Sequence, residues 1–240
     1  MLREVLNYFE PYDAGVFPDQ LKKYGVRKII NLGSNENPYS PPKNVIKEIM
    51  KESYNVNRYP NPSYPELKQK LSQYTGLPKE KIAIGSGATE ILDMICKVTL
   101  NPFDKVVIPI PTYSMYILLS MLRDANLEYL ETEDKNFEIH AEQIINLAKD
   151  AKLVFLCSPN NPVGKTIPKN ELAEIIEGTN ALVVVDEAYY EYSKKTIADK
   201  IDEYDNLVVV RSMSKFFSIA GLRIGYALSN PKFIDALERI

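Results

Sequence analysis

The chain has no tryptophan, one histidine, two cysteines and only 10 glycines among its 240 residues. A single histidine, His140, cannot build a His-rich metal cluster. No nucleophile-elbow motif accompanies it for Ser-His-Asp chemistry, so an exposed residue near a helix start is expected there. Cys96 and Cys157 each lie inside an apolar pattern and read as packing residues rather than a disulfide or a ligand pair. No apolar run approaches the roughly 20 residues of a membrane helix. Met1 to Tyr12 carries charge without the apolar segment of a signal peptide. The net charge is −3 with a pI near 5.5, so no basic field invites nucleic acid or an anionic lipid surface. Apolar residues make up 45% and charged residues 25%, the balance of a soluble globular protein. A cytoplasmic enzyme working on small molecules fits these limits. The GxxxxGK and GxGxxG spacings are also missing, which removes the common nucleotide fingerprints.

What is present is an alternation of strand and helix patterns. Residues 1–30 mix charge and aromatics without a clean period and read as an N-terminal arm, of a kind that often packs on a partner subunit. Residues 31–240 read as one domain. Helices are expected over 42–53, with Val45, Ile46, Ile49 and Met50 on one face, and over 65–74, closed by Gly76. A short strand follows at 82–85, then Gly85-Ser86-Gly87 and a helix over 88–100. Strands at 105–110, 127–130, 153–156, 181–186 and 207–210 interleave with helices at 141–149 and 169–177. Such βαβ alternation implies an α/β fold, a mostly parallel sheet sandwiched by helices through right-handed crossovers.

Three stretches carry chemistry. Ser212-Met213-Ser214-Lys215, just past the Leu207–Val210 strand, offers a lysine that apolar neighbours can desolvate, leaving a neutral amine that attacks carbonyls. Ser212, Ser214 and Arg223 can bind a phosphate beside it, the arginine with a planar, bidentate grip. A Schiff-base lysine next to a phosphate cradle suits pyridoxal phosphate. Asp186, at the end of the Val183-Val184-Val185 strand, faces the same crevice as Tyr189 if the strands are parallel, and can keep a pyridine nitrogen protonated. Asn161, in Pro159-Asn160-Asn161-Pro162-Val163-Gly164, donates from a turn after the fourth long strand. Gly87, Ala88 and Thr89 open a helix whose backbone N–H groups can add to the phosphate site.

In this order, Asn-Asn-Pro-Val-Gly, Asp-Glu-Ala-Tyr and Ser-Met-Ser-Lys with Ala-Gly-Leu-Arg-Ile-Gly-Tyr resemble the fold type I pyridoxal-phosphate enzymes. The likeness is to the aminotransferase class that includes histidinol-phosphate aminotransferase. It implies that Lys215 carries the cofactor and then moves the substrate proton, while Asp186 pairs with the ring nitrogen. Asn161 and Tyr189 would hold the cofactor's phenolic oxygen. Ser212, Ser214 and Arg223 would hold its phosphate. Tyr113, in Pro111-Thr112-Tyr113, would stack on the pyridine face, with Tyr116 as the alternative. The Asn35-Glu36-Asn37-Pro38 loop would lie over the site, making Asn37 a substrate contact. Tyr59, in Arg58-Tyr59-Pro60, would reach the cofactor phosphate of a neighbouring subunit, which implies a homodimer.

Two reactions fit the resemblance. Glu10-Pro11-Tyr12-Asp13-Ala14-Gly15 and the Asn-Glu-Asn-Pro loop are similar to histidinol-phosphate aminotransferases, in histidine biosynthesis. Lys215-Phe216-Phe217 is similar to the related threonine-phosphate decarboxylases. The aminotransferase is favoured; a cofactor-binding module without full activity is the third reading. Members of the family continue past the position of Ile240 into a smaller C-terminal domain that carries the arginine for the substrate carboxylate. The expectation is therefore a large domain without that partner, transaminating slowly, unless Arg3 or Arg27 substitutes.

Overall fold

The centre of the molecule is set by strands so apolar that both faces must be covered. A computed structural model describes residues 3–8, 18–25, 28–132 and 137–240. The Glu10–Gly15 motif and Arg27 lie outside the described residues. Among those described, the arm forms a 3-10 turn at Glu4–Tyr8 and a short helix α1 at Pro18–Lys22. Arg3 donates to the carbonyl of Leu122 at 2.6 Å and pairs with Asp124, so the start of the arm is tied to its own chain.

The first longer helices are α2 (Lys43–Glu52) and α3 (Pro65–Thr75), the latter ended by Gly76 at φ 76°. The sheet and its helices then alternate: β1 (Ile82–Ser86), α4 (Ala88–Thr99), β2 (Lys105–Ile110), α5 (Met115–Met121) and β3 (Asn126–Glu131). Next come α6 (Ala141–Leu147), β4 (Ala151–Cys157), α7 (Lys169–Glu177), β5 (Leu182–Asp186) and α8 (Tyr190–Ser193). Strands β6 (Leu207–Ser212) and β7 (Ile224–Leu228) and helix α9 (Pro231–Glu238) complete the order.

The seven strands run β1-β7-β6-β5-β4-β2-β3 across one sheet. Strands β2 to β6 are mutually parallel, and β7 is antiparallel to both β1 and β6. The expected α/β sandwich is therefore present, with one reversed strand that the hydrophobic pattern did not reveal. Alternation along the strands divides the core. Val183 and Val185 pack with Leu172, Ile175 and Ile176 of α7 on one face. Val184, Val208 and Val210 pack with Ile91, Leu92 and Ile95 of α4 and with Ile234 and Leu237 of α9 on the other. Each such fully buried side chain contributes roughly 1.5–3 kcal/mol of transfer free energy.

One expected boundary needs correction: helix α6 stops at Leu147 rather than Lys149. On the apolar face of α2, Ile46, Ile49 and Met50 are not covered by the described residues. The lysine segment after β6 leads through a turn and a 3-10 step at Ala220–Leu222 into β7.

Strand β3 lies on one side of β2 and β4 on the other, so the chain changes direction between β2 and β4. Open α/β sheets form their crevice at such a switch point, beyond the carboxyl ends of the strands. The segment after β5 is fixed there by a buried ion pair. Arg211 and Glu187 meet at 2.8 Å, Ile197 N–H donates to Glu187 at 2.9 Å, and the guanidinium lies 3.7 Å from the Tyr190 ring centroid.

Candidate active site

A cavity of about 650 Å³ opens at these strand ends, and Lys215, Asp186, Tyr189, Asn161, Tyr113 and Arg223 all line it. Residues that are far apart in sequence reach it because β2, β4, β5 and β6 end side by side.

One end is built for an anion. Strand β1 ends at Ser86, and Gly87 turns the chain with φ 84° into the 12-residue helix α4. A side chain at Gly87 would put its Cβ 2.3 Å from Nη2 of Arg223 and would be strained at this φ, so a substitution there displaces the guanidinium as well as costing backbone energy. Arg223 itself adopts φ 54°, which turns it back over this helix start. Its guanidinium donates to Ser214 Oγ at 3.4 Å, to the Ala220 carbonyl at 3.3 Å and to the Ser86 carbonyl at 3.4 Å. Ser212 Oγ accepts from the Ser214 N–H at 3.1 Å and holds the serine turn in shape. A guanidinium, two serines and a helix N-terminus thus converge, with Ala88 and Thr89 at the cavity wall.

The other end holds a buried carboxylate. Asp186 is 4% exposed; Oδ1 accepts from the Ala188 N–H at 2.9 Å and Oδ2 from the Tyr116 hydroxyl at 2.7 Å. Burial raises its pKa above the ordinary aspartate range, against the pull of Tyr116, the Ala188 amide and the Lys215 charge. Between the two ends sits Lys215, half-buried, with Nζ donating to the Ser34 carbonyl at 2.6 Å. Burial lowers its pKa, and the Arg223 charge adds to that, while Glu36 and Asp186 oppose it. This is the environment that leaves a lysine amine free to act as nucleophile or base.

The two candidate tyrosines differ in position. Tyr113 lines the cavity, within 3.3 Å of Thr89 Oγ1. Tyr116 is fully buried as the second residue of α5, its ring stacked on Phe155 at 4.8 Å, and it does not line the cavity. Cys96 and Cys157 are buried free thiols and His140 is exposed at the start of α6, as expected. Phe216 and Phe217 pack edge-on at 5.4 Å, and Phe216 meets Tyr192 at 5.5 Å, away from the cavity.

The loop before α2, expected over the site through Asn37, reaches it through its neighbours. Ser34, Asn35 and Glu36 line the cavity. Asn35 Nδ2 donates to Tyr189 OH at 2.8 Å and approaches Asn161 Oδ1 at 3.4 Å. Asn37, the expected substrate contact, donates instead to the Phe216 carbonyl at 2.9 Å and accepts from Tyr39 N–H at 3.1 Å, which pins the loop. Ser34 and Asn35 have φ of 56° and 49°, and asparagine tolerates that region better than most residues. Tyr59 is fully exposed and lies outside the cavity of its own chain.

Known proteins match the chain over its whole length. A histidinol-phosphate aminotransferase 2 from Archaeoglobus fulgidus is 38% identical over 239 residues, covering 100% of this chain and 68% of that protein. A histidinol-phosphate aminotransferase from Methanocaldococcus jannaschii is 38% identical over 247 residues, covering 100% of this chain and 66% of its own length. Among solved structures, histidinol-phosphate aminotransferase from Sinorhizobium meliloti in complex with pyridoxal-5'-phosphate superposes with a TM-score of 0.87 at 25% identity. That match covers 100% of this chain and 66% of the other. The chain thus spans about two thirds of the length of these relatives. The profile of the aminotransferase class I and II family matches residues 27–240, and the chain belongs to that family.

Proposed function

We propose that the protein binds pyridoxal 5'-phosphate and transfers an amino group between histidinol phosphate and 2-oxoglutarate, in histidine biosynthesis. The observation that carries this is the single line of groups in one cavity: a buried carboxylate, a half-buried lysine of lowered pKa, and an arginine-serine-helix anion site. Three features fit the cofactor. Gly87 leaves room for Arg223 at the phosphate end, Asp186 keeps a carboxylate where water is excluded, and Lys215 lies between them. Gly87, Ala88, Thr89, Ser212, Ser214 and Arg223 hold the phosphate; Asn161 and Tyr189 hold the phenolic oxygen; Tyr113 packs on the ring. Bound pyridoxal phosphate supplies an electron sink that weakens the bonds at the substrate's amine-bearing carbon.

The chain's own part is proton control and positioning. Asp186 holds a proton on the ring nitrogen. The Lys215 amine, whose pKa burial lowers, takes the proton from the substrate carbon and returns it to the opposite end of the reacting system. Tyr189 and Asn161 fix the ring's tilt, and with it which substrate bond is broken. The loop at 34–37 covers the cavity and excludes water from the proton path. Residues 31–240 act as the cofactor-binding large domain and residues 1–30 as the arm, in a homodimer to which Tyr59 contributes across the interface.

The lyase reading rested on Phe216, whose ring packs on Tyr192 and Phe217 rather than in the cavity. Incubating the holoprotein with histidinol phosphate and 2-oxoglutarate should yield glutamate without carbon dioxide. Release of carbon dioxide from threonine phosphate, with no glutamate formed from histidinol phosphate, would overturn the assignment.

A further inference from the structure

Asp186 has two oxygens and two internal donors, and the donors differ in kind. The Ala188 N–H, at 2.9 Å, comes with the backbone turn that follows β5. The Tyr116 hydroxyl, at 2.7 Å, comes from α5, 70 residues earlier in the chain. Tyr116 is fully buried and its ring is held on two sides. It stacks on Phe155 with centroids 4.8 Å apart and planes 5° from parallel, and it meets Tyr113 edge-on at 5.7 Å and 87°. A ring so clamped keeps its hydroxyl oxygen beside the Asp186 carboxylate. The neighbouring Cys157 sulfur also lies within reach of the Tyr116 hydroxyl. Burial pushes that thiol up to about 12, so it is a neutral and weaker acceptor than the carboxylate, and its Sγ donates to the Pro159 carbonyl at 3.4 Å. Burial raises the Tyr116 phenol as well, so its proton stays on oxygen and points at the carboxylate.

We propose that Tyr116 is a positioning residue for the cofactor. Its hydroxyl fixes the plane of the Asp186 carboxylate and favours its charged form toward the ring nitrogen, and its ring sets the edge of Tyr113. This rests on the reading that the cavity holds pyridoxal phosphate. An ionised carboxylate accepts about four hydrogen bonds, so the two internal donors leave it free to accept the ring N–H as well. Removing the phenol leaves the charge with one protein donor fewer. A carboxylate that then takes up a proton can no longer hold one on the pyridine. Tyr116 thus acts through Asp186 and never touches substrate. A packing role alone would need the ring and not the hydroxyl.

The test separates these two roles. Tyr116→Phe keeps the ring, and its melting temperature without cofactor reports that the fold is kept. Dissociation constants are measured by cofactor fluorescence for pyridoxal phosphate and for the analogue in which carbon replaces the ring nitrogen. The expected result is a loss of about tenfold or more for pyridoxal phosphate, the size of a hydrogen bond to a charge, with binding of the analogue unchanged. In an Asp186→Asn background the same substitution should change pyridoxal phosphate binding by less than about twofold, because coupled residues are not additive. Equal losses for both ligands, full additivity in the double variant, or no loss at all would overturn the inference while leaving the cofactor reading intact. Failure of the unmodified protein to bind pyridoxal phosphate would overturn both.

Discussion

A Cβ placed on Gly225 would lie 2.3 Å from the carbonyl carbon of Gly87 and 2.4 Å from the Ala88 nitrogen. The reversed strand β7 thus runs directly against the start of α4, backbone to backbone, and only glycine permits the approach. This contact ties the antiparallel edge of the sheet to the phosphate end of the cavity. Gly225→Ala should push α4 away from Arg223 and Ser214 and weaken pyridoxal phosphate binding by on the order of tenfold or more, since the N–H groups and the guanidinium no longer converge. Equilibrium titration of the cofactor measures this, and unchanged affinity would contradict the proposed phosphate site.

Lys215 and Ser34 make the second long-range link, Nζ to carbonyl at 2.6 Å. Lys215→Met should abolish the borohydride-reducible cofactor adduct completely while leaving phosphate-driven binding of the cofactor in place. It should also speed hydrogen exchange across 34–37, since one of the contacts holding that loop is gone. Peptide mapping of the reduced native protein decides the assignment: a label on any other lysine removes Lys215 from its role.

How much of this could be read from the chain depends on the range of the interactions. Asp186, Asn161 and Lys215 stand at or just past the ends of apolar strand runs, and a parallel sheet carries all three to one edge, so local pattern sufficed. Strand β7 did not register because Ile224-Gly225-Tyr226-Ala227-Leu228 lacks the β-branched density of its neighbours and carries a glycine, a residue that weakens strand signals. Tyr113 and Tyr116 could not be told apart by composition. Their difference arises from α5, which begins at Met115 and turns Tyr116 into the core while Tyr113 stays outside the helix. The Asn35–Pro38 motif marked the loop but pointed to Asn37 rather than Asn35, because the partner of Asn35, Tyr189, lies 154 positions away and the two meet only through the fold.

Tyr59 is fully exposed, and Tyr54 and Val56 beside it are 88% and 82% exposed. With Met50 at 65% they form an apolar surface flanking α2 that is uncovered within the chain. The protein should sediment as a homodimer that covers this surface. Val56→Asp, which would bury a charge in the interface, should shift the equilibrium toward monomer by on the order of tenfold or more. In the dimer Tyr59→Phe should weaken cofactor binding several-fold, and in the dissociated variant it should change nothing. A fully active monomer in the ultracentrifuge would end the argument for a shared site.

The last prediction concerns the cost of keeping Asp186 charged. Burial raises its pKa above the ordinary value of 3.8, despite the donors from Tyr116 and Ala188. Between 3.8 and the folded-state pKa, the folded chain holds a proton that the unfolded chain has released. Linkage then makes stability fall as pH rises through that window, and above the folded pKa the penalty is present in full. Asp186→Asn removes the charge and keeps an oxygen that can accept from Tyr116 or Ala188. Without cofactor the variant should therefore be more stable than the unmodified protein at mildly alkaline pH, by roughly 0.5–2 kcal/mol, as is common where an active site holds strain. The advantage should shrink as pH falls toward 3.8, where both forms are neutral. Saturating pyridoxal phosphate should reverse the order, because only the carboxylate gains a pyridinium partner and bound ligand stabilises the folded state by mass action. Turnover should drop on the order of 10³-fold or more, several kcal/mol of barrier. Paired thermal melts across pH, with and without cofactor, measure all of this, and a variant that melts lower at every pH without cofactor would show that the carboxylate stabilises the fold rather than straining it.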